Sequence, residues 1–71
     1  MTNAKEVYRD LFRTAQQMVK FERLADSTDD PFDYRYYRDR TTSAKKYFYS
    51  TCKLYGLNDL ILLQKMICTI I

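Results

Sequence analysis

Two residues punctuate the chain. Across 71 residues there is one proline, Pro31, and one glycine, Gly56. A turn-rich β fold needs such residues at most of its reversals. Their scarcity predicts an all-α fold built from a few long helices.

The punctuation falls where helices should stop and start. Asn3 can cap a first helix, and Glu6 three residues later completes a capping-box pattern. Ala4, Val7, Tyr8, Leu11, Phe12, Ala15, Met18 and Val19 then recur at gaps of three and one, which marks one helix face. This helix is expected over about 4–25, fading before the polar run "DSTDD". Asp30-Pro31 restarts the chain: the aspartate accepts from free amides and the proline suits the first helical position. Asp33 adds negative charge in the first turn. Along a second helix, about 31–55, Tyr34, Tyr37, Thr41, Ala44, Phe48, Thr51/Cys52 and Tyr55 form the stripe. Gly56 is suited to end it in the left-handed conformation, and Asn58 to cap a third helix over about 59–70. The expectation is a three-helix antiparallel bundle with a long N-terminal helix, one domain over 1–71.

The third helix has more apolar surface than one stripe needs. Leu60, Leu63, Met66/Ile67 and Ile70 make its inward seam, while Leu57, Ile61 and Leu62 project elsewhere. Such an excess points to a partner or ligand surface.

A core this small supplies only about 3–5 kcal/mol of net stability. Chains of this size lean on disulfides, metals or a partner. Cys52 and Cys68 are the two cysteines and histidine is absent, so the chain alone offers neither a zinc ligand set nor a secreted disulfide framework. Free thiols suit a reducing compartment, which leaves a partner as the stabiliser. Net charge is +3, an excess that favours an acidic partner without requiring nucleic acid. Met1–Arg13 contains no apolar run of the signal-peptide kind. Leu60–Leu63 and Met66–Ile71 fall short of the ~20 apolar residues that span a bilayer.

Charge is segregated along the first helix. At 100° per residue, Lys5, Arg9, Arg13, Gln16, Lys20 and Arg23 share a narrow sector beside the apolar stripe, and Glu6, Asp10 and Gln17 take the far side. Five cations in one row suit an acidic partner surface; the plainer reading is a solvated face. The second helix carries Arg35, Arg38, Lys45, Lys46 and Lys53 in its own cationic sector. Tyrosine occurs seven times, and Tyr and Arg are favoured at interfaces. Tyr37 and Tyr55 read as core-rim residues, Tyr36 and Tyr49 as interface candidates.

"VYRDLFRTAQQ" resembles the opening of the LYR-motif (complex 1 LYR-like) family of small mitochondrial proteins. Tyr8 and Arg9 match its Tyr-Arg pair, Val7 stands where leucine is usual, and Arg13 matches a following arginine. "SAKKYFYST" resembles the helix-2 segment, aligning Phe48 with a phenylalanine and Lys45 with the usual arginine. A lysine there cannot reproduce the arginine fork. The segment between Arg9 and Phe48 is longer than in many members.

The resemblance implies a non-catalytic adaptor of the mitochondrial matrix, or the matrix face of the inner membrane. It would bind acylated mitochondrial acyl carrier protein and join it to a larger assembly, as accessory subunit or assembly factor. Mitoribosome large-subunit assembly and respiratory complex I are the leading clients. Carried over, Lys5, Tyr8, Arg9, Arg13, Lys20 and Lys45 would meet the carrier. Leu11, Phe12, Ala15, Ala44, Phe48 and Leu63 would wall an acyl-chain tunnel. Tyr36, Tyr49, Ile61 and Leu62 would face the client. No cofactor of its own and no metal are implied; the carrier presents acyl-phosphopantetheine. Import without cleavage is expected, since the first helix is amphipathic and arginine-bearing yet holds Glu6 and Asp10.

The alternative is a basic helical nucleic-acid-binding module, with cations on phosphate and tyrosines on bases. Its recognition helix would be the third, which holds only Lys65 as a cation. An enzyme is not expected, because without histidine no nucleophile–base pair is evident; Ser43–Lys46 matches "SxxK" as chance allows. A membrane-surface helix is disfavoured by the acidic residues of the first helix.

Overall fold

The structure, a computed structural model, describes residues 3–71. The expectations that include Met1 and Thr2 (where the domain starts and the lack of a leading apolar run) lie outside the described residues at those two positions. Three helices follow in order: α1 (Ala4–Ser27), α2 (Pro31–Leu54) and α3 (Asp59–Ile70). Among the described residues there is no strand.

Each helix begins on the cap its sequence suggests. The Asn3 side chain accepts from the Glu6 N–H at 2.9 Å. Asp30 Oδ1 accepts from the Phe32 and Asp33 N–H groups at 2.8 and 3.4 Å, with Pro31 at the first helical position. Asn58 Oδ1 accepts from the Ile61 N–H at 3.1 Å.

The ends are as specific. α2 closes in a Schellman motif: the Gly56 N–H reaches the Lys53 carbonyl at 3.3 Å and the Leu57 N–H the Cys52 carbonyl at 2.8 Å. Gly56 takes φ +69° there, where a Cβ crowds the backbone. α1 runs to Ser27, past the expected end near Ala25. Ala25 is buried and holds the last turn against the hairpin, and the Thr28 N–H still reaches the Leu24 carbonyl at 3.1 Å.

α1 and α2 form a long antiparallel hairpin. Asp10 meets Tyr47 towards one end, and Phe21 stacks on Tyr37 towards the other at 6.1 Å. Each long helix has 24 residues and α3 has 12, about 36 and 18 Å at 1.5 Å per residue. α3 therefore covers only about half of the hairpin, and the molecule measures 42 × 21 × 19 Å. The core gathers Val7, Leu11, Ala15 and Met18 from α1, Phe48 and Cys52 from α2, and Leu63 and Met66 from α3. Leu11, Phe48 and Cys52 have no exposed surface. The buried hydroxyls of Thr14 and Thr41 donate to the carbonyls of Asp10 and Tyr37, at 2.9 and 3.0 Å, the back-bonding that satisfies such groups within a helix.

The α3 seam is turned from the one expected. Leu60 is 70 % exposed, while Leu57 and Leu62 pack against the core. The seam is centred between Leu63 and Met66; on a 100° wheel Leu62 lies about 70° from that centre and Leu60 about 90°. Leu57 is drawn inward by the Schellman turn, which favours an apolar contact between C″ and C3, here Cys52. Leu62 thus packs against the core while part of its surface stays exposed. Tyr49 is placed similarly: half-buried, it meets Phe48 edge-on at 6.3 Å. It sits on the α3 side of α2, one wheel step from Phe48. Tyr34 and Tyr55, expected within the α2 stripe, are nearly half exposed, because α3 is too short to reach the first and the second caps the helix end.

Candidate functional site

The expected basic row is present on α1 in the open. Lys5, Arg9, Arg13, Lys20 and Arg23 are all exposed. Among the described residues the one ion pair is Lys45–Glu22 at 3.9 Å, with both side chains nearly half exposed; such pairs contribute little to stability. The row therefore carries no internal acid partner. Tyr8, 42 % exposed, lies on the flank of the row towards α3.

The structure does not bring the six expected carrier contacts together. Lys45 reaches Glu22, which lies nine residues beyond Arg13, half a turn round α1 at 100° per residue. Lys45 is thereby on the other side of the hairpin from Arg13. The tunnel residues do gather: Leu11, Ala15, Phe48 and Leu63 share the core, with Phe12 and Ala44 packed at its edge. They meet as a closed core. Of the six, only Ala44 lines one of the three surface grooves described below. Of the client set, Tyr36 and Ile61 are exposed.

A groove runs between α1 and α2 on the face away from α3. Its upper part, about 390 Å³, has Arg13, Gln17 and Phe21 on one wall and Arg40, Ser43 and Ala44 on the other. Its lower part, about 470 Å³, passes Glu6, Val7, Thr51 and Leu54. Asp10 and Tyr47 line both parts. The Tyr47 hydroxyl donates to the Asp10 carboxylate and bridges the groove at its waist. That hydrogen bond, then partial burial and the Asp10 charge, raise the Tyr47 phenol above its ordinary value. A third, smaller groove of about 210 Å³ lies between Ala4, Val7 and Tyr8 and the Tyr55–Leu57 turn.

Around the upper groove, cations and rings are arrayed together. The Arg40 guanidinium sits 5.7 Å from the Tyr36 ring centroid. Tyr36 meets Tyr37 edge-on at 5.7 Å, and Lys20 Nζ lies 5.9 Å from the Phe21 centroid.

Sequence reasoning missed this groove. It placed Asp10 on the solvent side of α1 and left Arg40 and Ser43 out. The signal was present as a second stripe on each long helix. Tyr36, Arg40, Ser43 and Tyr47 are spaced four, three and four, and Asp10, Arg13, Gln17 and Phe21 three, four and four. Two such stripes can face each other once the helices pair, and the lining of the groove brings these together, Tyr36 apart.

Cys52 is buried and Cys68 exposed, both free. Burial, and then the Asp59 charge, push the Cys52 thiol up, which makes it a packing residue and not a nucleophile. Among the described residues no group of three or more His, Cys, Asp or Glu could hold a metal ion, and no helix is long and apolar enough to cross a membrane. No protein-family profile, curated protein or solved structure matches this chain.

Proposed function

We propose that this chain is a non-catalytic LYR-type adaptor that binds acylated acyl carrier protein in the mitochondrial matrix. It would join the carrier to a larger mitochondrial assembly, with mitoribosome large-subunit assembly or respiratory complex I as the clients. The observation that carries the reading is the exposed row on α1, Lys5, Arg9, Arg13, Lys20 and Arg23, which has no acid partner among the described residues. Such a row suits the acidic face of a helical partner, steering encounter and fixing register.

Lys5, Tyr8 and Arg9 form the docking end in this reading, and Lys20 and Arg23 extend it. Lys45 lies across the hairpin, paired with Glu22, and stands apart from this docking row. The acyl chain enters where α3 lies over Leu11, Ala15 and Phe48. α3 buries Leu63 and Met66 where α1 buries seven residues, so in this reading α3 is the element that yields to the acyl chain. Each methylene taken from water would add about 0.8 kcal/mol, which replaces the contacts α3 gives up.

The test is native mass spectrometry of the tagged protein from its own cells. The expected result is a companion of acyl-carrier mass bearing phosphopantetheine and a fatty acyl group; further subunits would identify the client. A folded chain recovered without that companion, or with nucleic acid in its place, overturns the reading.

A further inference from the structure

The upper groove between α1 and α2 has a composition that packing does not require. Arg13 and Arg40 approach it from opposite walls, and neither has an acid partner within ion-pair distance among the described residues. The one carboxylate that lines it, Asp10, already accepts the Tyr47 hydroxyl. Gln17 and Ser43 add two further donors that no side-chain hydrogen bond of their own engages among the described residues. Arg40 is held in place by the Tyr36 ring, and Phe21 supplies an apolar wall backed by Tyr37.

We propose that this groove is an oxyanion site for a phosphate monoester, with Arg13 and Arg40 as the two clamps and Ser43 and Gln17 as neutral donors. Planar guanidinium forks match phosphate oxygens bidentately. With the Asp10 charge in the same lining, the preference for a phosphate over a carboxylate lies in geometry: its three terminal oxygens can engage both forks, and the two of a carboxylate fill one. The Phe21 wall favours an ester whose organic part can lie on a ring, over free phosphate. The site shares Arg13 with the carrier reading but does not rest on it: Arg40 and Ser43 have no part in that reading, and the test contains no carrier protein.

The experiment is a solution NMR titration of the full chain with phenyl phosphate, inorganic phosphate and acetate at physiological salt. Phenyl phosphate is expected to give saturable shifts centred on Arg13, Gln17, Phe21, Arg40 and Ser43. Arg40→Gln is expected to weaken binding about five- to tenfold, as loss of a charge-assisted contact does at a partly exposed site. Arg40→Lys should fall between, keeping charge without the fork. Arg13→Gln should match Arg40→Gln, and Lys65→Gln, exposed on α3, should bind as wild type. Inorganic phosphate binding as tightly as phenyl phosphate would assign free phosphate as the ligand and remove the ring's part. Saturation centred on Lys5, Arg9 and Lys20, acetate binding as tightly as phosphate, or an unchanged Arg40→Gln titration would overturn the site.

Discussion

Tyr47 joins the two long helices through one hydroxyl, the one side-chain hydrogen bond between different helices among the described residues. Its phenol is raised by the bond to Asp10, so the folded form holds its proton more tightly than the unfolded chain does. The stabilisation is then fully present below the ordinary phenol value of 10.0 and is lost as pH rises through the folded value. Tyr47→Phe is expected to cost about 0.5–1 kcal/mol at neutral pH, because the bond is exposed to water. The gap between the two proteins in denaturant unfolding should narrow above pH 10.0; a gap that stays constant into strong alkali would detach Tyr47 from Asp10. Phe48 acts at the same scale through burial alone. It has no exposed surface, and truncation leaves a cavity shared by all three helices. Phe48→Ala should cost about 3–5 kcal/mol in thermal or chemical unfolding, comparable with the whole stability of so small a core. A loss below about 1 kcal/mol would mean that the ring is not enclosed.

Among the elements, the caps and the turn fix where each helix lies. Gly56 at φ +69° has open space around a hypothetical Cβ, so the cost of Gly56→Ala is conformational alone, about 1 kcal/mol. Asp30→Ala should cost about as much, through two N–H groups left to water; circular dichroism melts of both variants check this, and a neutral Gly56→Ala would mean that the turn is not left-handed. These features were legible because they are local: a cap needs only its own side chain and the next three amides. Helix identity was legible for the same reason, since apolar spacing repeats within each segment. The rotation of α3 was not. Leu60 and Leu62 both fit an apolar stripe, and which one turns inward depends on the Schellman turn that feeds the helix and on the hairpin it meets. The half-burial of Tyr49 was not legible either, because a tyrosine beside Phe48 can serve either face until α3 is placed. The groove escaped for a related reason. Its residues are polar, so neither stripe registers in an apolar count, and it exists only once α1 and α2 are set side by side.

For the whole molecule, the governing fact is the mismatch between a hairpin of two 24-residue helices and a 12-residue third helix. The row on α1 lies outside the core, so charge can be removed without unfolding. Arg9→Ala with Arg13→Ala should weaken binding to acylated carrier about tenfold or more, while the helical signal stays unchanged. A double variant that binds as wild type would take these arginines out of the interface. The mismatch also sets how stability should respond to a partner. A ligand that binds only the folded state stabilises it by about 2.7 kcal/mol at a hundredfold excess over Kd. For a domain of this length each kcal/mol moves Tm by roughly 4–8 °C. Acylated carrier at that excess should therefore raise Tm by roughly 10–20 °C. On the proposed reading the unacylated carrier would meet the basic row and leave α3 in place, so its effect should be smaller and should fade with salt, as contacts between exposed charges do. Equal shifts with both carriers would place all of the binding on charge, and would mean that α3 never leaves Leu11, Ala15 and Phe48.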